Sequence, residues 1–206
     1  MFMKTLFALL TVISLQTCIS STPPVHHAEP IWEPQDEIPQ GMKKAYFALG
    51  CFWCVEAIYE SVKGVSEAYS GYAGGFTKNP NYNQIGTGKT GHAEAVEVIY
   101  DPTVVSFSTL VQVFFGSHDP TTPNRQGPDR GSQYRSIAFY NTPEEQEIII
   151  KYIELLQEKE IFSSEIVTEI KPLEKFYYAE EYHQNYEKNT PNNPYVRQVS
   201  VPRRCR

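Results

Sequence analysis

Cysteine is scarce: four in 206 residues, with three methionines and two tryptophans. So few thiols exclude a disulfide-stapled scaffold. Basic residues are short as well. Eighteen lysines and arginines against 24 aspartates and glutamates leave a net charge of −6, which argues against a nucleic-acid binder, whose footprint is a basic patch. No apolar run is long enough for a comfortable membrane-spanning helix. Aromatics, by contrast, make up 13% of the chain, and 14 of them are tyrosines. That excess of phenols points to several placed for hydrogen bonding, while most would serve as half-buried strand filler.

The N-terminus has a short basic start, Met1 to Lys4, then an apolar stretch from Thr5 to Ile19 of signal-peptide length. Leu15-Gln16-Thr17-Cys18 resembles a lipobox, except that Thr17 stands where Gly, Ala or Ser is usual. Residues 1–20 therefore read as a signal peptide, with lipid attachment at Cys18 or cleavage near Ser20 or Ser21 as the two outcomes. Residues 21–41, rich in proline and acids, read as a flexible linker. The expected location is outside the cytoplasm, in the periplasm or cell envelope. The folded catalytic domain is expected over residues 42–206.

Within that domain the segment Gly50-Cys51-Phe52-Trp53-Cys54 is the most informative. It follows the strand pattern Lys44 to Leu49 and opens a helix pattern with Phe52, Val55, Tyr59 and Val62 on one face. Unpaired N–H groups and the positive end of the helix dipole favour a thiolate at Cys51. A lone cysteine there is most often inert packing. Cys54, three residues on and on the same face, makes a redox pair the leading reading. A metal site is disfavoured because the remaining cysteines, Cys18 and Cys205, form no second close-spaced pair.

A second strand follows over Val65 to Tyr72, then a long loop, Phe76 to Gly91, without regular structure. Ala93 to Tyr100 alternates as a strand, with Glu94 in line with Val96 and Val98, a setting that raises a carboxyl's pKa and suits a proton donor. By pattern alone a glutamate so placed is more often a solvated strand-end residue than a functional one. A helix over Ser106 to Ser117, a loop over His118 to Gly131, a strand over Tyr134 to Tyr140 and a helix from Thr142 to about Lys159 come next. Ile166 to Ile170 is the last expected strand, followed by an irregular C-terminal tail. The alternation predicts an α/β (α+β) domain: a two-layer sandwich of mixed sheet and helices.

These fragments in their order resemble the peptide methionine sulfoxide reductases of the A type, which act on the S epimer. The resemblance covers Lys43 to Val201 and rests on Gly50-Cys51-Phe52-Trp53, Ser70-Gly71-Tyr72-Ala73-Gly74-Gly75, Asn79-Pro80-Asn81-Tyr82, Thr90-Gly91-His92-Ala93-Glu94, His118-Asp119-Pro120-Thr121-Thr122, Asp129 to Ser136, and Ala179-Glu180-Glu181-Tyr182-His183-Gln184. It implies a ferredoxin-like core, Cys51 as nucleophile, Glu94 as acid, and Tyr82 and Tyr134 as donors to the sulfoxide oxygen. Phe52 and Trp53 match the wall for the substrate methyl group, and Asp129 and His183 match residues that hold the methionine's backbone or order the site. The implied activity is reduction of methionine sulfoxide, free and in oxidised proteins, by a monomer with no cofactor and no metal. Electrons would come from thioredoxin or a thioredoxin-like dithiol.

Two departures bear on the chemistry. Many relatives carry cysteine where this chain has Gly86 and Val196. The resolving thiol is then Cys54, close in sequence, or Cys205, on a tail flanked by Arg203, Arg204 and Arg206. A general thiol–disulfide oxidoreductase and a non-catalytic binder of oxidised methionine are the rival readings.

Overall fold

The computed structural model describes residues 32–34 and 37–204. The expected signal peptide with Cys18, most of the linker, and Cys205 lie outside the described residues. All those described belong to one unit. The chain runs β1 (Lys43–Leu49), α1 (Phe52–Glu60), β2 (Val65–Ala73), α2 (Tyr82–Gly86), β3 (Ala93–Tyr100), α3 (Phe107–Gly116), the short pair β4 (Arg125–Gln126) and β5 (Asp129–Arg130), β6 (Ser136–Tyr140), α4 (Pro143–Glu158), β7 (Glu169–Pro172) and β8 (Phe176–Tyr178). Two further short helices, α5 (Tyr186–Asn189) and α6 (Val201–Arg204), close it, with a π-helical turn over Val196–Ser200 between them.

Six strands form one sheet in the order β7-β6-β1-β3-β2-β8. Its inner strands, β6-β1-β3-β2, are antiparallel neighbours, and the parallel β6–β7 edge makes the sheet mixed. The two outer strands take it beyond a bare four-stranded core of the expected ferredoxin-like kind.

Alternation sorts β1 and β3 between two clusters. Ala45, Phe47 and Leu49 of β1 and Val96 and Val98 of β3 share a core with Phe52, Val55 and Tyr59 of α1, Leu110 and Phe114 of α3, and Ile149 and Leu156 of α4. Phe47 stacks on Tyr59 with ring centroids 5.1 Å apart. Full burial of each such aromatic stabilises the fold by about 1.5–3 kcal/mol. Tyr46, Ala48, Ala93, Ala95 and Ile137 face the other way, beneath Leu173 and Phe176. On that side Glu97 accepts from the Tyr46 hydroxyl at 2.7 Å, the Tyr178 hydroxyl at 2.8 Å and Lys44 Nζ at 2.9 Å.

Several expectations are corrected. The long loop holds α2, capped by a reciprocal Asn81–Gln84 capping box. The second loop holds the β4–β5 hairpin. Tyr134 sits in a 3-10 turn (Ser132–Tyr134), so its strand starts at Ser136. The last expected strand is displaced to Glu169–Pro172. The tail is not irregular: β8 adds to β2, pairing Gly71 with Tyr178 and Tyr72 with Tyr177. Pairing across about a hundred residues leaves no local trace in the sequence.

Candidate active site

Three elements meet at the start of α1. Gly50 has φ +100°, a backbone that side chains with a Cβ rarely adopt, and it turns the chain from β1 into the helix. Cys51 is the N-cap residue, with φ −55° and ψ 121° and no side-chain cap of its own. The cap comes instead from β3: Phe52 N–H donates to Glu94 Oε2 at 3.1 Å. Glu94 is only 2% exposed. Burial pushes its carboxyl up to about 8, outweighing the opposing pull of the Phe52 N–H. A neutral acid therefore faces the thiol at neutral pH.

Both Cys51 and Cys54 are thiols, 6% and 1% exposed, and their sulfurs are within hydrogen-bonding reach of each other. Here the structure corrects the expectation of a resting thiolate. Burial, then Cys54 and the nearby Glu94, push the Cys51 thiol well up. The physical reason is local: the first N–H of α1 is engaged by Glu94, and the sulfur is buried.

Tyr82, the first residue of α2, and Tyr134, at the end of the 3-10 turn, both sense the charges of Glu94 and Cys51. Burial chiefly raises both phenols, Tyr82 to about 12. Both therefore stay protonated as donors. Phe52 stacks on Tyr82 at a centroid distance of 6.2 Å, and Trp53 lies flat on Tyr186 at 3.7 Å. The apolar wall is thus built from two ends of the chain.

Of the residues expected to hold the substrate's backbone, Asp129 lies at the site's edge and accepts from the Tyr195 hydroxyl at 2.6 Å. His183 is 1% exposed, behind the wall, where Trp53 Nε1–H donates to its Nδ1 at 3.0 Å. Burial lowers its pKa to about 4, so the ring is neutral. Cys205 lies outside the described residues, so no geometry bears on it.

Sequence reasoning missed three participants. Tyr195 has its hydroxyl 4.0 Å from Cys54 Sγ and within hydrogen-bonding reach of Cys51; the signal available was its place beside Val196, where relatives carry a thiol. Tyr186 backs Trp53. Glu180 accepts from Tyr72 and from the backbone of Tyr82; its motif was read but no role drawn from it.

The family profile described as peptide methionine sulfoxide reductase matches residues 43–205. "Peptide methionine sulfoxide reductase MsrA" of Nautilia profundicola is 51% identical over 162 residues, covering 79% of this chain and 92% of its own. Among solved structures, reduced Mxr1 of Saccharomyces cerevisiae superposes with a TM-score of 0.70 at 36% identity, over 75% of this chain and 89% of its own. The same yeast protein in complex with Trx2 matches at a TM-score of 0.51 and 27% identity, over 72% and 86%. Sequence, fold and the matched span agree: this chain belongs to the peptide methionine sulfoxide reductase family.

Proposed function

We propose that the protein reduces the S epimer of methionine sulfoxide, free and within oxidised proteins, through Cys51, with Glu94 as the acid and Tyr82 and Tyr134 as donors to the oxygen. The observation that carries this reading is the neutral, buried Glu94 carboxyl seated on the first N–H of α1 beside the Cys51 sulfur.

A sulfoxide oxygen leaves sulfur only once it is protonated. Glu94 gives its proton to that oxygen while the two phenols stabilise the charge developing there. The Cys51 sulfur attacks the sulfoxide sulfur and forms an S–S bond as the oxygen leaves as water, carrying the Glu94 and Cys51 protons. That water then attacks the Cys51 sulfur, the S–S bond breaks with its electron pair on methionine, and one proton returns to Glu94. Methionine departs and the oxygen ends on Cys51 as a sulfenic acid. The Cys51 thiol has become S–OH and the sulfoxide a thioether, so atoms and electrons balance. Phe52 and Trp53 receive the methyl group, and Asp129 takes the substrate's backbone. His183 orders the wall from behind.

Cys54 is the resolving thiol in this reading. Its sulfur lies beside that of Cys51, because the N-cap backbone carries Cys51 off the helical path. Cys54 S–H condenses with the sulfenic acid to give a disulfide and water. A thioredoxin-like dithiol then reduces the disulfide by exchange, as the yeast relative's complex with Trx2 suggests for this family. No prosthetic group is needed at any step.

The first twenty residues support export to the cell envelope, with lipid attachment at Cys18 or cleavage near Ser20 or Ser21 without a lipid as the two outcomes. Loss of the protein from the membrane fraction in Cys18→Ala checks the anchor.

The deciding assay offers separated S and R sulfoxides to the protein and to Cys51→Ser. Consumption of the S form alone, abolished in the variant, is expected. Turnover of the R form, or an active Cys51→Ser, overturns the proposal.

A further inference from the structure

We propose that Glu180 is a positioning residue for the reaction, aligning the Tyr82 phenol with the sulfoxide oxygen. The inference rests on the role given to Tyr82 above.

Glu180 leaves β8 two residues beyond its last paired position and is held close to β2. One carboxylate oxygen, Oε1, accepts from the backbone N–H of Tyr82 at 2.9 Å. The other, Oε2, accepts from the Tyr72 hydroxyl at 2.8 Å. Tyr72 lies opposite Glu94 in the β2–β3 register. A single carboxylate thus ties the first residue of α2 to the strand that flanks the acid. Without it, the five-residue helix α2 keeps its Asn81–Gln84 box but loses this link to the sheet.

The same carboxylate stands at the back of the Trp53 side. His183 Nδ1 accepts from Trp53, whose indole N–H can only donate, so in the neutral ring the proton is on Nε2. That Nε2 is buried, has no hydrogen-bond partner among the described residues, and lies 4.0 Å from Glu180 Oε2. The His183 ring in turn packs on Tyr82 at 4.4 Å and on Phe52 at 5.0 Å. Displacing the carboxylate removes its direct hold on Tyr82 and its place behind the His183 ring that packs on Tyr82, while leaving Cys51 and Glu94 in place.

A merely structural acid would cost stability and lower activity whatever stands at position 82. A positioning acid acts through the Tyr82 hydroxyl, and its effect disappears when that hydroxyl is gone. The test measures the single-turnover rate of S-sulfoxide reduction for Glu180→Ala, Glu180→Gln, Tyr82→Phe and the double variant Tyr82→Phe/Glu180→Ala, with thermal unfolding alongside. Glu180→Ala is expected to fall about 10- to 100-fold, in kcat more than KM, in the range of misplaced catalytic groups. Glu180→Gln, whose amide oxygen still accepts from the Tyr82 N–H, should return to within about threefold of the parent. Adding Glu180→Ala to Tyr82→Phe should cost less than about threefold more.

Full additivity in the double variant, or a parental rate in Glu180→Ala, overturns the inference while leaving Tyr82's role standing. A parental rate in Tyr82→Phe overturns that role and the inference with it. If Glu180→Ala does not fold, Glu180→Asp, one methylene short of Tyr82, carries the same expectation.

Discussion

A carboxyl that would ionise readily in water is held neutral here by burial, and burial likewise keeps the Cys51 thiol protonated. This sets the pH behaviour of the chemical step. Glu94 is useful only while protonated, so the rate of sulfenic acid formation is expected to stay level in acid and fall as pH rises through about 8. Glu94→Gln removes the proton and with it that limb. Stopped-flow or quenched single turnovers should show a loss of about 100-fold or more and a flat profile over the same window. Strand alternation singled out Glu94 beside two valines, but its role as the acid came only from the family resemblance. Sequence reasoning misjudged the charge state of Cys51 because only the fold shows that the first N–H of α1 is engaged by a residue 42 positions away.

The elements that build the site differ in how much they announced themselves. α1, α3 and α4 carry apolar faces at helical spacing, and Thr142 with Pro143 marks the start of α4, where the Thr142 hydroxyl accepts from Glu145 N–H. α2 and β8 are too short for a period, five and three residues, and are fixed by tertiary partners. β8 depends on a close approach at Gly71, where an added Cβ would sit 2.5 Å from the Tyr177 carbonyl oxygen and against the Phe176 ring. Gly71→Ala is therefore expected to push β8 off the sheet edge. Denaturant melts should show a loss of about 1–3 kcal/mol. Activity should fall further than stability, because Glu180 and His183 follow directly from β8.

At the scale of the whole molecule, residues distant in sequence enclose one small volume. Trp53 from α1 lies between His183 and Tyr186 from the C-terminal third, and Tyr195 bridges Asp129 and the two thiols. The family order of motifs made this legible as a resemblance. The contribution of Tyr195 was not, because proline and asparagine around it give no periodic signal. The arrangement predicts which thiol completes the cycle. With a thioredoxin as donor, Cys54→Ser should stop after one equivalent of methionine while Cys205→Ser continues to turn over. Continued cycling of Cys54→Ser and arrest of Cys205→Ser would assign resolution to the tail.

The cover that Tyr195 and the neighbouring aromatics place over both sulfurs also bears on the enzyme's working life. Peroxides and other small oxidants attack exposed thiolates fastest, and here the nucleophile is a shielded thiol until a fitting guest arrives. Burial of both sulfurs is thereby expected to slow irreversible sulfinic damage between encounters with substrate.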